Sequence, residues 1–292
     1  MTRWLFWLLV TLLSWGIWAI LSRLIGDAIH PAHSQAMSTI GLVPIVLALW
    51  VMKEPRAAGN YHRGVWLAFG SGLVSASGNI VYYAALNNAK AATVVPLTAL
   101  YPAVTILLAV PLLKERIMPL QWVGMGVSLA AIYLFNAPDP ERVASAWLLI
   151  ALAPIVLWGI ALLMQKMSTD SIPGSISAMW FLIAFLPLAA LILVWRPLPS
   201  GISMRTWGLE AALGFTLGFG NLTILLAFAS GGRASVIAPL SGLYPLVSIP
   251  IAIAAFGERL SEREALGIAL ALAAVVMLSY QSEPRAAGSQ TL

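Results

Sequence analysis

Long apolar runs follow one another along the chain, each stopped by Gly, Pro or a charged residue. About 20 apolar residues cross a hydrocarbon layer of about 30 Å as an α-helix. Ten such runs are present, near 4–25, 34–52, 64–87, 91–113, 119–136, 146–165, 175–195, 206–229, 233–256 and 261–280. The connections mostly fall under about a dozen residues, too short for a soluble catalytic or regulatory domain. The pattern predicts an all-α integral membrane protein with ten transmembrane helices: a single membrane domain over 1–292, ending in a polar tail at 283–292. The first run is longer than the apolar core of a signal peptide and is expected to stay. Ser261 and Glu264 fit a capping box opening the tenth helix, and Pro119 a first-turn proline opening the fifth.

The runs also repeat. Trp15, Gly16, Pro96, Tyr101, Pro102, Glu115, Arg116 and Gly124 recur as Trp158, Gly159, Pro239, Tyr244, Pro245, Glu258, Arg259 and Gly267, each pair 143 positions apart. Gly72 and Gly78-Asn79 recur as Gly214 and Gly220-Asn221, 142 apart. One repeat covers about 1–138 and the other about 144–282. Five helices is an odd number, so the second repeat enters the membrane from the opposite side and the two are inverted. Inverted repeats of membrane helices are a signature of secondary transporters with a central site at their interface.

Orientation is read from the basic residues. With the N-terminus inside, the inner side carries nine Lys or Arg and the outer side seven, and within the first half the split is six to three. Both termini are therefore expected in the cytoplasm, in a bacterial inner membrane. Eight of the twelve tryptophans lie near span ends, where aromatic belts form; Trp15, Trp18, Trp158 and Trp180 lie deeper.

Composition agrees: 60% of residues are hydrophobic and 9% charged, with a mean hydropathy of +0.90. The net charge of +5 sits at helix ends, so it speaks for topology and not for nucleic acid. With no cysteine, disulfides, thiolate metal sites and cysteine nucleophiles are excluded. His30, His33 and His62 fall in loops, and no HExxH, GxSxG or membrane aspartate pair is present. Neither an enzyme nor a cofactor or metal is expected.

Candidate site residues follow from depth. A rise of about 1.5 Å per residue puts Trp15 and Tyr101 roughly 15 Å into their helices, near the midplane, with Trp158 and Tyr244 equally deep. Each is equally able to serve as interhelical packing. Asn79 and Asn221 are carboxamides inside apolar helices, where they need a helix partner or a polar solute. Pro96 and Pro102, with Pro239 and Pro245, delete backbone donors and predict kinked or broken fourth and ninth helices, candidate hinges. Glu115-Arg116 and Glu258-Arg259 end those helices and are either solvated anchors or rim gates. No carboxylate is expected at mid-depth: Glu210 is read as only about a turn inside its span, so no proton relay is visible.

The two segments PLTALYPAVTILLAVPLLKERIMPLQWVG and PLSGLYPLVSIPIAIAAFGERLSEREALG resemble the drug/metabolite transporter superfamily, in its EamA-type ten-helix branch. Length and the mid-helix Trp-Gly are most similar to YddG-like exporters of aromatic and other amino acids. That resemblance implies a cavity lined by Trp15, Asn79, Tyr82, Tyr101, Trp158, Asn221, Ser241 and Tyr244, with amino acids and related metabolites exported by alternating access. It implies the lipid bilayer and a small-molecule substrate as partners, and leaves a monomer acceptable. The alternatives are a phosphorylated-sugar or nucleotide-sugar carrier, which needs inward-facing Arg or Lys absent at mid-depth, and a non-transporting membrane scaffold.

Overall fold

The computed structural model describes residues 3–52, 60–113, 118–136, 146–230, 237 and 240–279. Among them the chain is helical, with no β-strand. The helices are α1 Arg3–Ile25, followed by a 3-10 turn at Gly26–Ala28, α2 Pro31–Met52, α3 Tyr61–Asn88, α4 Ala91–Thr98, α5 Tyr101–Leu113 and α6 Pro119–Asn136. The second half continues with α7 Ala146–Thr169, α8 Gly174–Ile183, α9 Phe185–Trp195, α10 Met204–Ala229, α11 Pro245–Phe256 and α12 Glu262–Ser279. Pro239, the Glu115-Arg116 pair and the 283–292 tail lie outside the described residues.

Among the described residues, seven segments are long and apolar enough to cross a membrane: α1, α2, α3, α4 running into α5, α7, α8 with α9, and α10. The predicted fifth and tenth spans are the 18-residue helices α6 and α12. They pack on each other, with Gln121 donating to the Leu278 carbonyl at 3.1 Å. The ninth survives as the shorter apolar α11. On α1, Leu9, Leu13, Ile17 and Leu24 are exposed along one side, as a bilayer-facing stripe requires. Trp50, Trp66, Trp122 and Trp195 are also exposed near helix ends.

Local chemistry sets the boundaries. Asn60 caps α3 by accepting from the Arg63 N–H, Ser203 caps α10 through Thr206, and Ser261 with Glu264 forms the reciprocal box at α12. Gly257 closes α11 at φ +62°, a left-handed turn that a Cβ would strain. The predicted fourth helix breaks between α4 and α5 at Ala99-Leu100, where Leu100 and Ala103 bond back only three residues. A matching break spans 242–244, with Leu243 donating to Leu240 and Leu246 to Leu243. Each break lies at a Tyr-Pro, where the proline ring lacks a donor and disfavours helix at the residue before it. Proline alone is not sufficient, since Pro44 and Pro154 sit inside unbroken helices.

Contact registers give the helix directions. Thr11 meets Thr223 and the Trp15 ring lies where a Cβ on Gly220 would sit, so α1 and α10 run antiparallel. Gly64 meets Ser168 and Gly78 abuts Trp158, so α3 and α7 are antiparallel too. Trp18 meets Tyr83 and Arg23 meets Leu86, so α1 and α3 are parallel.

Candidate functional site

The central cavity is framed by α1, α3, α5, α7, α10 and the turn before α11. Close helix approach builds its walls. Gly16 lies against Val247 and the Tyr244 carbonyl, and Gly159 lies in the same way against Val104 and the Tyr101 carbonyl. Gly78 accommodates the Trp158 ring and Gly220 the Trp15 ring. Each contact joins one half of the sequence to the other, and each has its counterpart at the repeat offset.

Of the eight residues expected at the site, Trp15, Asn79, Tyr101, Trp158, Asn221 and Tyr244 line this cavity. Tyr82 and Ser241 do not; both are fully buried behind the wall. Tyr82 stacks on Trp18 with ring centroids 4.8 Å apart and supports Trp158 at 5.2 Å. Ser241 shares a 2.6 Å hydrogen bond with the Tyr101 hydroxyl, and the repeat-equivalent pair, Thr98 and Tyr244, lies at 3.3 Å. The hydroxyls are thus spent fixing the two broken helices to each other, and the phenol rings face the space.

Trp18, Ser75, Ala161, Leu162, Gln165 and Leu217 complete the lining. Their signal in the sequence is helical spacing from the residues expected at the site. Ser75 precedes Asn79 by four, Leu217 precedes Asn221 by four, and Leu162 follows Trp158 by four, all on one face of their helices. Gln165 sits near a helix end, and Trp18 was legible only as a deep tryptophan.

The polar groups divide into paired and unpaired. Trp158 Nε1 donates to Asn79 Oδ1 at 3.1 Å and to the Ser75 carbonyl at 3.3 Å. Asn221 Nδ2 donates to the Leu217 carbonyl of its own helix at 2.8 Å, and its oxygen accepts from Gln165 Nε2 at 3.5 Å. Trp15 Nε1, Asn79 Nδ2 and Gln165 Oε1 are buried without a partner. Two donors and one acceptor on the lining residues are thus left unpaired, among aromatic rings, and none of the described lining residues is charged.

Charge gathers instead at one rim, where α1, α3 and α11 end and α4 and α12 begin. The Glu258 carboxylate accepts from the backbone N–H groups of Ala91 and Ala92 at 3.0 and 2.9 Å, closing the N-terminus of α4, and stands 3.6 Å from Arg23 Nε. Beside it, Lys90 pairs with Glu264 at 3.1 Å and reaches the Arg259 carbonyl. At the far end of α7, Lys166 pairs with Asp170, just past the end of the helix.

Comparison with known proteins agrees with this architecture. An uncharacterized transporter of Pseudomonas aeruginosa is 27% identical over 280 residues, covering 92% of this chain and 90% of that protein. A chain known from a crystal structure is similar in fold, with a TM-score of 0.68 at 21% identity, over 95% of this chain and 98% of its own. The profile of the EamA-like transporter family matches twice, over residues 2–137 and 145–280. Two family matches that together span almost the whole sequence, on a chain of long apolar helices, make this a multi-pass membrane transporter of the EamA family in the drug/metabolite transporter superfamily.

Proposed function

We propose that the protein is a secondary transporter of the YddG-like kind that exports amino acids, aromatic and other neutral ones, and related metabolites by alternating access. The observation that carries this reading is the lining of the cavity: unpaired donors on Trp15 and Asn79, an unpaired acceptor on Gln165, aromatic faces between them, and no fixed charge. An amino acid matches that set. Its carboxylate takes the indole and amide N–H groups, its ammonium takes the Gln165 oxygen, and an apolar or aromatic side chain lies against Trp18, Trp158 and the tyrosine rings. A phosphorylated sugar would bring a doubly charged group to a cavity with no Arg or Lys to receive it.

The reading takes the chain as ten spans in two inverted repeats with both termini in the cytoplasm of a bacterial inner membrane. The helix directions support the inversion: α1 is parallel to α3 and α3 antiparallel to α7, so α1 and its repeat mate α7 run oppositely. Pro96, Pro102 and Pro245 flank the two breaks and Pro239 belongs to the same pattern, so the halves rock about these points. Proteoliposomes loaded with a panel of radiolabelled amino acids test the function. Efflux or exchange of neutral amino acids is the expected result; no movement of any of them by folded protein would refute it.

A further inference from the structure

Glu210 is the residue whose setting is least legible from its position along the chain. It is the seventh residue of α10, about 9 Å from the start of the helix, yet it is fully buried and neither carboxylate oxygen completes a hydrogen bond. No lysine or arginine among the described residues forms an ion pair with it. The neighbouring helix α2 runs parallel to α10 and touches its backbone, because Gly214 lies against the Ser38 carbonyl and Gly41. That approach brings the two backbones together one turn beyond Glu210.

The polar groups facing Glu210 are neutral. From α2 comes the Ser34 hydroxyl. From α3 comes Tyr83, whose hydroxyl has Ser38 and Glu210 as neighbours. His33 is tied to the Arg196 carbonyl at 3.0 Å, Arg23 of α1 is taken by Glu258 and the Leu86 carbonyl, and Arg205 is exposed. A buried carboxylate with neither cation nor N–H donor is stable only when its charge is neutralised.

One of these neighbours leads to the cavity. Trp18 Nε1 donates to the Tyr83 hydroxyl at 3.2 Å, and Trp18 lines the cavity beside Trp158, 5.8 Å between ring centroids. A solute that moves the Trp18 indole therefore moves the hydroxyl next to the carboxyl.

We propose that Glu210 is a proton-binding site, linked to the central cavity through Tyr83 and Trp18, by which the carrier couples to a proton gradient. The proton rests on a carboxyl oxygen while the site is sealed and leaves to water at the adjacent rim when that rim opens. The inference rests on the carrier reading for its purpose, but its test does not need the substrate.

Infrared spectroscopy of the full chain in liposomes reads the carboxyl directly while pH is raised from about 5 to about 10. The expected result is a protonated-carboxyl C=O band at neutral pH that disappears in alkali and is missing from Glu210→Gln. Glu210→Asp should restore a band at a shifted frequency, and Tyr83→Phe should keep the band but move it. An unchanged spectrum in Glu210→Gln overturns the proposal, as does a band that sodium chloride removes at fixed pH, which would make the site one for a metal cation. A band with the expected behaviour in protein that moves no amino acid would refute the substrate class and leave the proton site standing.

Discussion

Glu258 ties the end of α11 to the start of α4, and under the proposed alternating access replacing it with glutamine should loosen that rim. The carboxylate spans two backbone donors, Ala91 and Ala92 N–H, at 3.0 and 2.9 Å. Glutamine has the same shape but one acceptor, so one N–H at the start of α4 loses its partner and faces an NH2 group. A buried donor left unmet costs about 1–3 kcal/mol. Loss of a negative charge at a helix N-terminus adds about 0.3–1 kcal/mol. The Arg23 contact at 3.6 Å contributes less, because Arg23 is 30% exposed and such pairs are worth at most about 1 kcal/mol. The unmet donor dominates, so an equilibrium between closed and open rim should shift by about 5-fold to about 150-fold. The native chain has no cysteine, so a single cysteine at Val94, fully buried on α4, reports the opening alone. Its maleimide labelling rate should rise by that factor in Glu258→Gln. An unchanged rate in a variant with unchanged melting temperature would show that the Glu258 contact does not hold the rim.

Three further outcomes are expected. A Cβ at Gly78 would stand 2.7 Å from Trp158 Nε1, so Gly78→Ala must displace the indole from Asn79, lowering stability by about 1–3 kcal/mol and impairing transport; Gly220→Ala should do the same through Trp15, and wild-type melting and transport in either would sink the contact. Tyr101→Phe and Ser241→Ala each remove the same 2.6 Å bond and should each cost about 1 kcal/mol, with no further loss in the double variant; additive losses would mean the two groups act separately. Trp15→Phe keeps an aromatic ring but deletes the unpaired N–H, so melting should hold while amino acid transport falls about tenfold or more; equal loss of both would return Trp15 to packing.

Period and composition determined the helices, since a chain in hydrocarbon must satisfy its backbone within each span. The repeat offset could be read directly, and it named both members of most site pairs: Trp15 with Trp158, Asn79 with Asn221, Tyr101 with Tyr244. The Tyr-Pro dipeptides likewise marked both helix breaks. Depth along a helix was also legible, because it needs only counting. Rotation about the axis was not, and that is why Tyr82 and Ser241 were expected at the cavity yet lie behind it. A side chain three or four positions along shares a face, but which face meets the cavity depends on the neighbouring helices. Pairing was beyond sequence for the same reason: that Glu258 closes the start of α4, or that Glu210 is left with no cation, depends on residues more than a hundred positions apart. Distance from a helix end gave Glu210 an aqueous setting; the close approach of α2 at Gly41 and Gly214 took it away. Tertiary packing decides solvation, and solvation decides which polar groups are anchors and which are held ready for a ligand.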